Sequence, residues 1–114
     1  MKIIEWISDH IEEEINDAHT YIEKALMTKK DYPRLAETLS KLSDEEMRHM
    51  TMLHNEVVNI IEEYKAKHGE PPKEMMIIYE YLHKKQIDRS AEVKGLQAMY
   101  KNWNFVAMSP IDMV

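Results

Sequence analysis

The residues with the clearest chemical potential are Glu46 and His49, which lie three positions apart in a long helical pattern. Residues at this spacing occupy adjacent turns of one helix face, about 4.5 Å apart along the axis, so both side chains can reach one ion. Both fall in a row of apolar residues that recur at steps of three and four, namely Leu35, Leu39, Leu42, Leu53, Val57 and Ile60. Because ionised groups on a buried stripe are costly unless a partner charge or a metal compensates them, the pattern predicts a metal site.

A second interruption of the same kind lies at Glu14 on an earlier helix. It occupies one position in another apolar row, formed by Ile4, Ile7, Ile11, Ala18, Tyr21 and Ala25. Each of the two helices thus carries ionisable residues in an otherwise apolar row, and a common metal ion would explain both. A set of carboxylates and an imidazole suits iron, manganese or zinc. His10 and Asp17, about one turn before and after Glu14, could orient that carboxylate, but a surface position is the preferred assignment for both.

The composition indicates one all-α domain. The chain has 114 residues, of which 44% are hydrophobic and 32% charged, with two glycines and no cysteine. The lack of cysteine excludes disulfides, thiol catalysis and iron–sulfur clusters. A net charge of −6 argues against nucleic acid as a partner. Since no apolar run approaches the roughly 20 residues of a membrane span, we expect a soluble, cytoplasmic protein.

The pattern along the chain predicts two long helices and a less regular third segment. The first helix is expected over about residues 3–29 and the second over about 33–68, with a short break that makes them antiparallel neighbours. A third helical segment follows Pro72, either as one helix or as two that meet near residues 88–90. We assign residues 1–102 to the helical domain, and residues 103–114, which contain Pro110, to an apolar, non-helical C-terminal tail.

These motifs resemble those of the ferritin-like di-iron proteins, in particular the two-helix half bundles of the encapsulated-ferritin and rubrerythrin type. The resemblance rests on Glu14 followed by Tyr21, and on Glu45-Glu46-Met47-Arg48-His49, and it covers about residues 3–68. It implies a ferritin-like antiparallel bundle and a pair of iron ions, or manganese or zinc, bound by Glu14, Glu46 and His49. Tyr21 would then lie near the reacting centre. The cysteine-rich module of rubrerythrins has no counterpart here.

The number of ligands bears on assembly. A di-iron site of this family takes four glutamates and two histidines, whereas one copy of the first two helices offers Glu14, Glu46 and His49. Two chains would supply the full set, so the resemblance implies a homodimer, or a multiple of it, that completes a four-helix core. The alternative is a site within one chain, in which Glu80 and His83 form a second Glu-x-x-His motif and Glu92 adds a carboxylate. That order departs from the family's.

The resemblance implies iron oxidation, or the handling of oxygen or peroxide, and leaves open whether the protein is a ferroxidase-like enzyme. The rival hypothesis is a helical interaction or scaffold protein with a structural metal or none. In that case the tail would dock a protein partner, since five of its side chains could form an exposed apolar patch: Trp103, Phe105, Val106, Met108 and Ile111. A simpler reading places Glu46 and His49 on a solvated helix face, without a metal.

Overall fold

A computed structural model describes the backbone of residues 1–111 and the side chains of residues 1–102. Over these residues the protein is all-helical, with no strand, and consists of three helices: α1 (Lys2–Thr28), α2 (Pro33–His68) and α3 (Lys73–Ile111). The predicted helical class is confirmed, and the predicted bounds of the first two helices agree to within one residue. None of the described helices is both long enough and apolar enough to cross a membrane.

Local sequence accounts for both ends of α2. Pro33 lies in its first turn, where the missing N–H costs no hydrogen bond and the fixed φ angle suits a helix. At the other end Gly69 adopts a φ of 77° and its N–H donates to the carbonyl of Lys65. A positive φ is strained for residues that carry a Cβ, so glycine ends the helix at this point.

Contacts between α1 and α2 show that these helices are antiparallel. Glu14 of α1 faces His49, while Ala18, one turn further along α1, accepts a hydrogen bond from Ser43. As the residue numbers rise along α1, the numbers of the residues that they contact on α2 fall. This confirms the predicted antiparallel pair, which turns at residues 29–32.

The third helix packs mainly against α1 and touches α2 least. Ser8 of α1 pairs with Gln86, and His19 pairs with Glu92, so α3 runs parallel to α1. The three helices therefore form a bundle in which α1 contacts both of the others.

The core is built around α1, whose buried row is largely isoleucine and alanine. In the first half of α2 the buried residues include Ala36, Ser40 and Ser43, and Ser43 contacts α1 directly. The leucine row predicted as the centre of the α2 seam lies beside this line, and Leu35 remains 49% exposed. The predicted row is therefore offset by one position from the buried row in the first half of α2, whereas Val57, further along the helix, is buried as predicted.

A single helix, α3, follows Pro72, so the predicted alternative of two helices is wrong. Its buried row continues through the suspected break as Gln86, Ser90, Val93 and Gln97. Three of these four residues are polar, which is why the apolar pattern alone suggested a change of face.

The predicted non-helical tail is also wrong for most of its length, since α3 continues to Ile111. Pro110 falls in the last turn, where it removes one hydrogen bond and the helix ends at the next residue. The suggested docking role of residues 103–114 depends on side chains that lie outside the described part of the chain.

Candidate metal centre

Three side chains from the two antiparallel helices converge at one point. Glu14 of α1 and Glu46 and His49 of α2 each offer one ligand atom, and these atoms all lie within 4.8 Å of one another. Nδ1 of His49 is 3.6 Å from Oε2 of Glu14 and 3.8 Å from Oε2 of Glu46. Among the side chains of residues 1–102 this is the one group of three or more acidic or histidine residues that is gathered so closely.

The cluster lies at the edge of the α1–α2 interface. The side chains of Glu14 and Glu46 are 14% and 20% exposed, whereas that of His49 is 46% exposed. This gradient agrees with helix phase, because Glu14 lies three positions after the buried Ile11 and Glu46 three positions after the buried Ser43. The carboxylates are thus largely enclosed by the helices, and the imidazole borders the solvent.

Glu14 is the least satisfied member of the cluster. Its Oε2 is buried and has no hydrogen-bond partner. The 3.6 Å distance to the imidazole of His49 is too long for a hydrogen bond. Buried polar atoms in proteins are nearly always hydrogen-bonded, so an orphaned carboxylate oxygen that faces two other ligand groups needs a physical reason.

A metal ion fits this donor set. Carboxylate oxygen and imidazole nitrogen bind zinc or iron at about 2.0–2.2 Å, so ligand atoms on one ion lie within roughly 4.4 Å of each other. Both distances to His49 already satisfy that limit. A cation would give Oε2 of Glu14 a partner and would offset the repulsion between two carboxylates.

His10 is a neighbour of the cluster that the sequence identified only as one of two alternatives. Its Nε2 lies 3.5 Å from Oε1 of Glu14, and its Nδ1 lies 3.5 Å from Oε2 of Glu13. The ring also stacks on Trp6, with centroids 5.8 Å apart. Glu14 therefore lies between two imidazoles, with His49 beside one oxygen and His10 beside the other.

The remaining candidate residues are not part of this cluster. Tyr21 is half-buried two turns beyond Glu14 on α1, about 10 Å further along the helix axis. His83 stacks on His54, with ring centroids 4.7 Å apart, and Glu80 is exposed. Glu92 pairs with His19 at 3.1 Å. The structure therefore does not bring the proposed second Glu-x-x-His motif and Glu92 together with Glu14.

The stacked imidazoles were not predicted from the sequence. His54 comes from α2 and His83 from α3, and Tyr79 stacks on the other side of His83 with centroids 5.6 Å apart. Burial lowers the pKa of His54, and the nearby charge of His83 lowers it further. No spacing within one helix could have revealed this pair, because it depends on the register between two helices.

Comparison of the chain with models of known protein families, with curated proteins and with solved structures finds no match. The helical fold and the geometry of this cluster are therefore the basis for any functional assignment.

Proposed function

We propose that this protein is a ferritin-like metal protein that binds Fe(II) through Glu14, Glu46 and His49 and promotes its oxidation by dioxygen or peroxide. The observation that supports it most is the orphaned Oε2 of Glu14, which faces the other two ligand groups. Manganese and zinc suit the same donors, and the test below separates them from iron.

The charge and exposure of the cluster suit such a role. The enclosed carboxylates are hard anionic donors that favour a divalent cation, whereas the half-exposed imidazole lies where an ion could enter from solvent. His10 would act on Glu14 from the side opposite His49, holding the carboxylate in place while its other oxygen binds.

A single chain supplies three ligands, which leaves two metal ions short of donors. We propose that a second copy of the chain brings its own Glu14, Glu46 and His49 against the first, giving four carboxylates and two imidazoles for two metals. The exposed edge of the cluster supports this arrangement, because a closed site within one chain would leave no ligand 46% exposed. Leu35, which is 49% exposed and lies about 16 Å from Glu46 along α2, adds apolar surface that a second copy would cover.

In this arrangement the iron supplies the electron that is transferred to the oxidant. Glu14 and Glu46 would hold the cations and His49 would complete the donor set, while the packing of α1 against α2 limits the access of water. Tyr21 is proposed as a nearby residue that influences the reaction rather than as a ligand, given its distance along α1.

Anaerobic addition of Fe(II) to metal-free protein, followed by dioxygen, tests the proposal. We expect a near-ultraviolet absorbance rise that needs both iron and oxygen, and that Mn(II) and Zn(II) do not produce. Glu14→Gln should slow the rise about tenfold or more, since it removes an anionic ligand. Glu45→Gln is the matched control, because Glu45 is exposed and lies outside the cluster.

An unmodified protein that binds no iron and oxidises none would contradict the proposal. That result would favour the rival hypothesis of a helical scaffold or interaction protein.

A further inference from the structure

A cleft of about 410 Å³ lies between α2 and α3, on residues that the metal cluster does not use. Its polar lining includes His54 and Thr51 from α2, and His83, Ser90 and Lys94 from α3. Met50, Ile87 and Ala91 provide apolar surface in the same cleft. Apolar walls combined with a few convergent polar groups are typical of sites for small organic molecules, and the volume is within the usual range.

The charge of this cleft is opposite to that of the molecule. The chain carries 21 acidic residues and a net charge of −6. Even so, none of the described residues that line the cleft is acidic, while Lys94, His54 and His83 are all basic. A concave surface that holds basic side chains and no acidic ones attracts negatively charged ligands, so the cleft favours an anion.

The imidazole stack provides a reason for the cleft to take up negative charge. His54 and His83 stack with an interplanar angle of 8°, and Tyr79 covers the far side of His83. Two imidazolium rings at this distance would repel each other, and burial also disfavours the charged form of His54, which lowers its pKa. An anion in the cleft would offset both effects. Lys94, also in the lining, would bind the same anion.

We infer that the cleft between α2 and α3 binds an amphipathic organic anion, whose charged group lies between Lys94 and the imidazole of His54 and whose apolar body lies against Met50 and Ile87. The volume argues for such a body, because a bare inorganic anion would leave most of the cleft unfilled. This site is separate from the proposed iron site and needs no metal.

Titration of the metal-free protein with octanoate, followed through the imidazole proton resonances of His54 and His83, tests this inference. We expect saturable shifts of both, with octanol and inorganic phosphate binding at least about tenfold more weakly because each lacks half of the ligand chemistry. Octanoate should bind more tightly at pH 6 than at pH 8, because the anion favours the protonated imidazole while a carboxylate with a pKa near 4 stays ionised.

Lys94→Gln should weaken octanoate binding about tenfold or more. Lys85→Gln is the matched control on the same helix, since Lys85 lies over the ring of Tyr81 and does not line the cleft. Both lysines are exposed, so neither change threatens the fold. Any of four results would overturn the inference: octanol binding as tightly as octanoate, phosphate doing so, an affinity that does not rise on acidification, or equal losses in the two lysine variants.

Discussion

Glu14 lies in an unfavourable electrostatic environment. It is a largely buried carboxylate beside a second one, and its Oε2 has no hydrogen-bond partner. Leaving a buried polar atom unpaired costs roughly 1–3 kcal/mol, and more when the group is charged. An unpaired buried carboxylate does not stabilise the fold, so we attribute the position of Glu14 to metal binding.

Removal of the charge at Glu14 should therefore not harm the metal-free protein. We expect Glu14→Gln to leave its free energy of unfolding unchanged or to raise it by about 1 kcal/mol, because a like charge is removed from an enclosed site. Urea denaturation in the presence of a chelator measures this. A loss of more than about 2 kcal/mol would mean that the carboxylate is already well compensated without metal.

His54 should make the stability of the fold sensitive to acid. Burial holds the pKa of His54 in the folded protein below the ordinary histidine value of 6.5, so between these two values the unfolded chain binds more protons than the folded one. Above pH 6.5 His54 does not reduce the free energy of unfolding. As the pH falls from 6.5 towards the pKa of His54 in the folded protein, protonation of the unfolded chain lowers that free energy. We expect the free energy of unfolding to decrease on acidification from pH 7 to pH 5.

His54→Phe, which retains a ring for the stack, should reduce that pH dependence. His68→Phe is the control, because His68 is exposed at the end of α2 and contacts only Tyr64 among the described rings. Equal pH dependence in the two variants would show that His54 does not cause the acid sensitivity.

At the scale of the helices, a buried polar link holds the bundle together. The hydroxyl of Ser43 on α2 donates to the carbonyl of Ala18 at 2.7 Å and accepts from the side-chain amide of Gln97 at 3.0 Å. One fully buried hydroxyl thus joins all three helices. A second link, from Gln86 to Ser8, connects α1 with α3. Such groups stabilise one particular register, because any shift leaves them unpaired.

Loss of the Ser43 link should be measurable. Ser43→Ala leaves the amide of Gln97 buried without this acceptor, so we expect the free energy of unfolding to fall by about 1–3 kcal/mol. Thr38→Ala is the control, since its hydroxyl is exposed and donates only within α2, to Arg34, and should cost less than about 0.5 kcal/mol. Chemical denaturation compares the two, and equal costs would contradict the proposed role of the link.

These same polar links explain which parts of the fold could be read from the sequence. The bounds of α1 and α2 follow from long apolar periods and from Pro33 and Gly69, which act locally. The buried row of α3 could not be predicted from the apolar pattern, because it includes the polar residues Gln86, Ser90 and Gln97. Gln86 and Gln97 are buried there with hydrogen-bond partners on other helices. The grouping of Glu14 with Glu46 and His49 was predicted because polar residues in two apolar rows need one another. The stack of His54 on His83 depends on the register between helices, which periodicity within one helix does not give.

The whole molecule is elongated, with principal extents of 66 × 21 × 17 Å. A slender bundle of three helices leaves much apolar surface uncovered, and exposed large side chains include Trp6 and Leu35. Leu35 lies in line with Glu46 on α2, within about 20° around the helix axis. Apolar surface on the same side as an incomplete ligand set is what the proposed pairing of two copies requires.

The proposed pairing predicts a homodimer in solution. Leu35→Glu should convert it to a monomer at micromolar concentration, because each copy would bury an unpaired charge in the apolar contact. Met27→Glu is the control: Met27 is 79% exposed and lies about 140° around α1 from Glu14. Light scattering measures the mass. An unmodified monomer that still binds two metal ions per chain would contradict the shared site.

Metal binding by Glu14, Glu46 and His49 should change the melting temperature of the protein, measured with and without Fe(II) under anaerobic conditions. Ligand at about 100 times its dissociation constant stabilises the folded protein by about 2.7 kcal/mol, so we expect a clear rise for the unmodified chain. Glu46→Ala should abolish that rise, whereas Glu45→Ala, one position away and exposed, should retain it. If both variants lose the metal response equally, or if the unmodified chain shows none, the assignment of this cluster as a metal site is wrong.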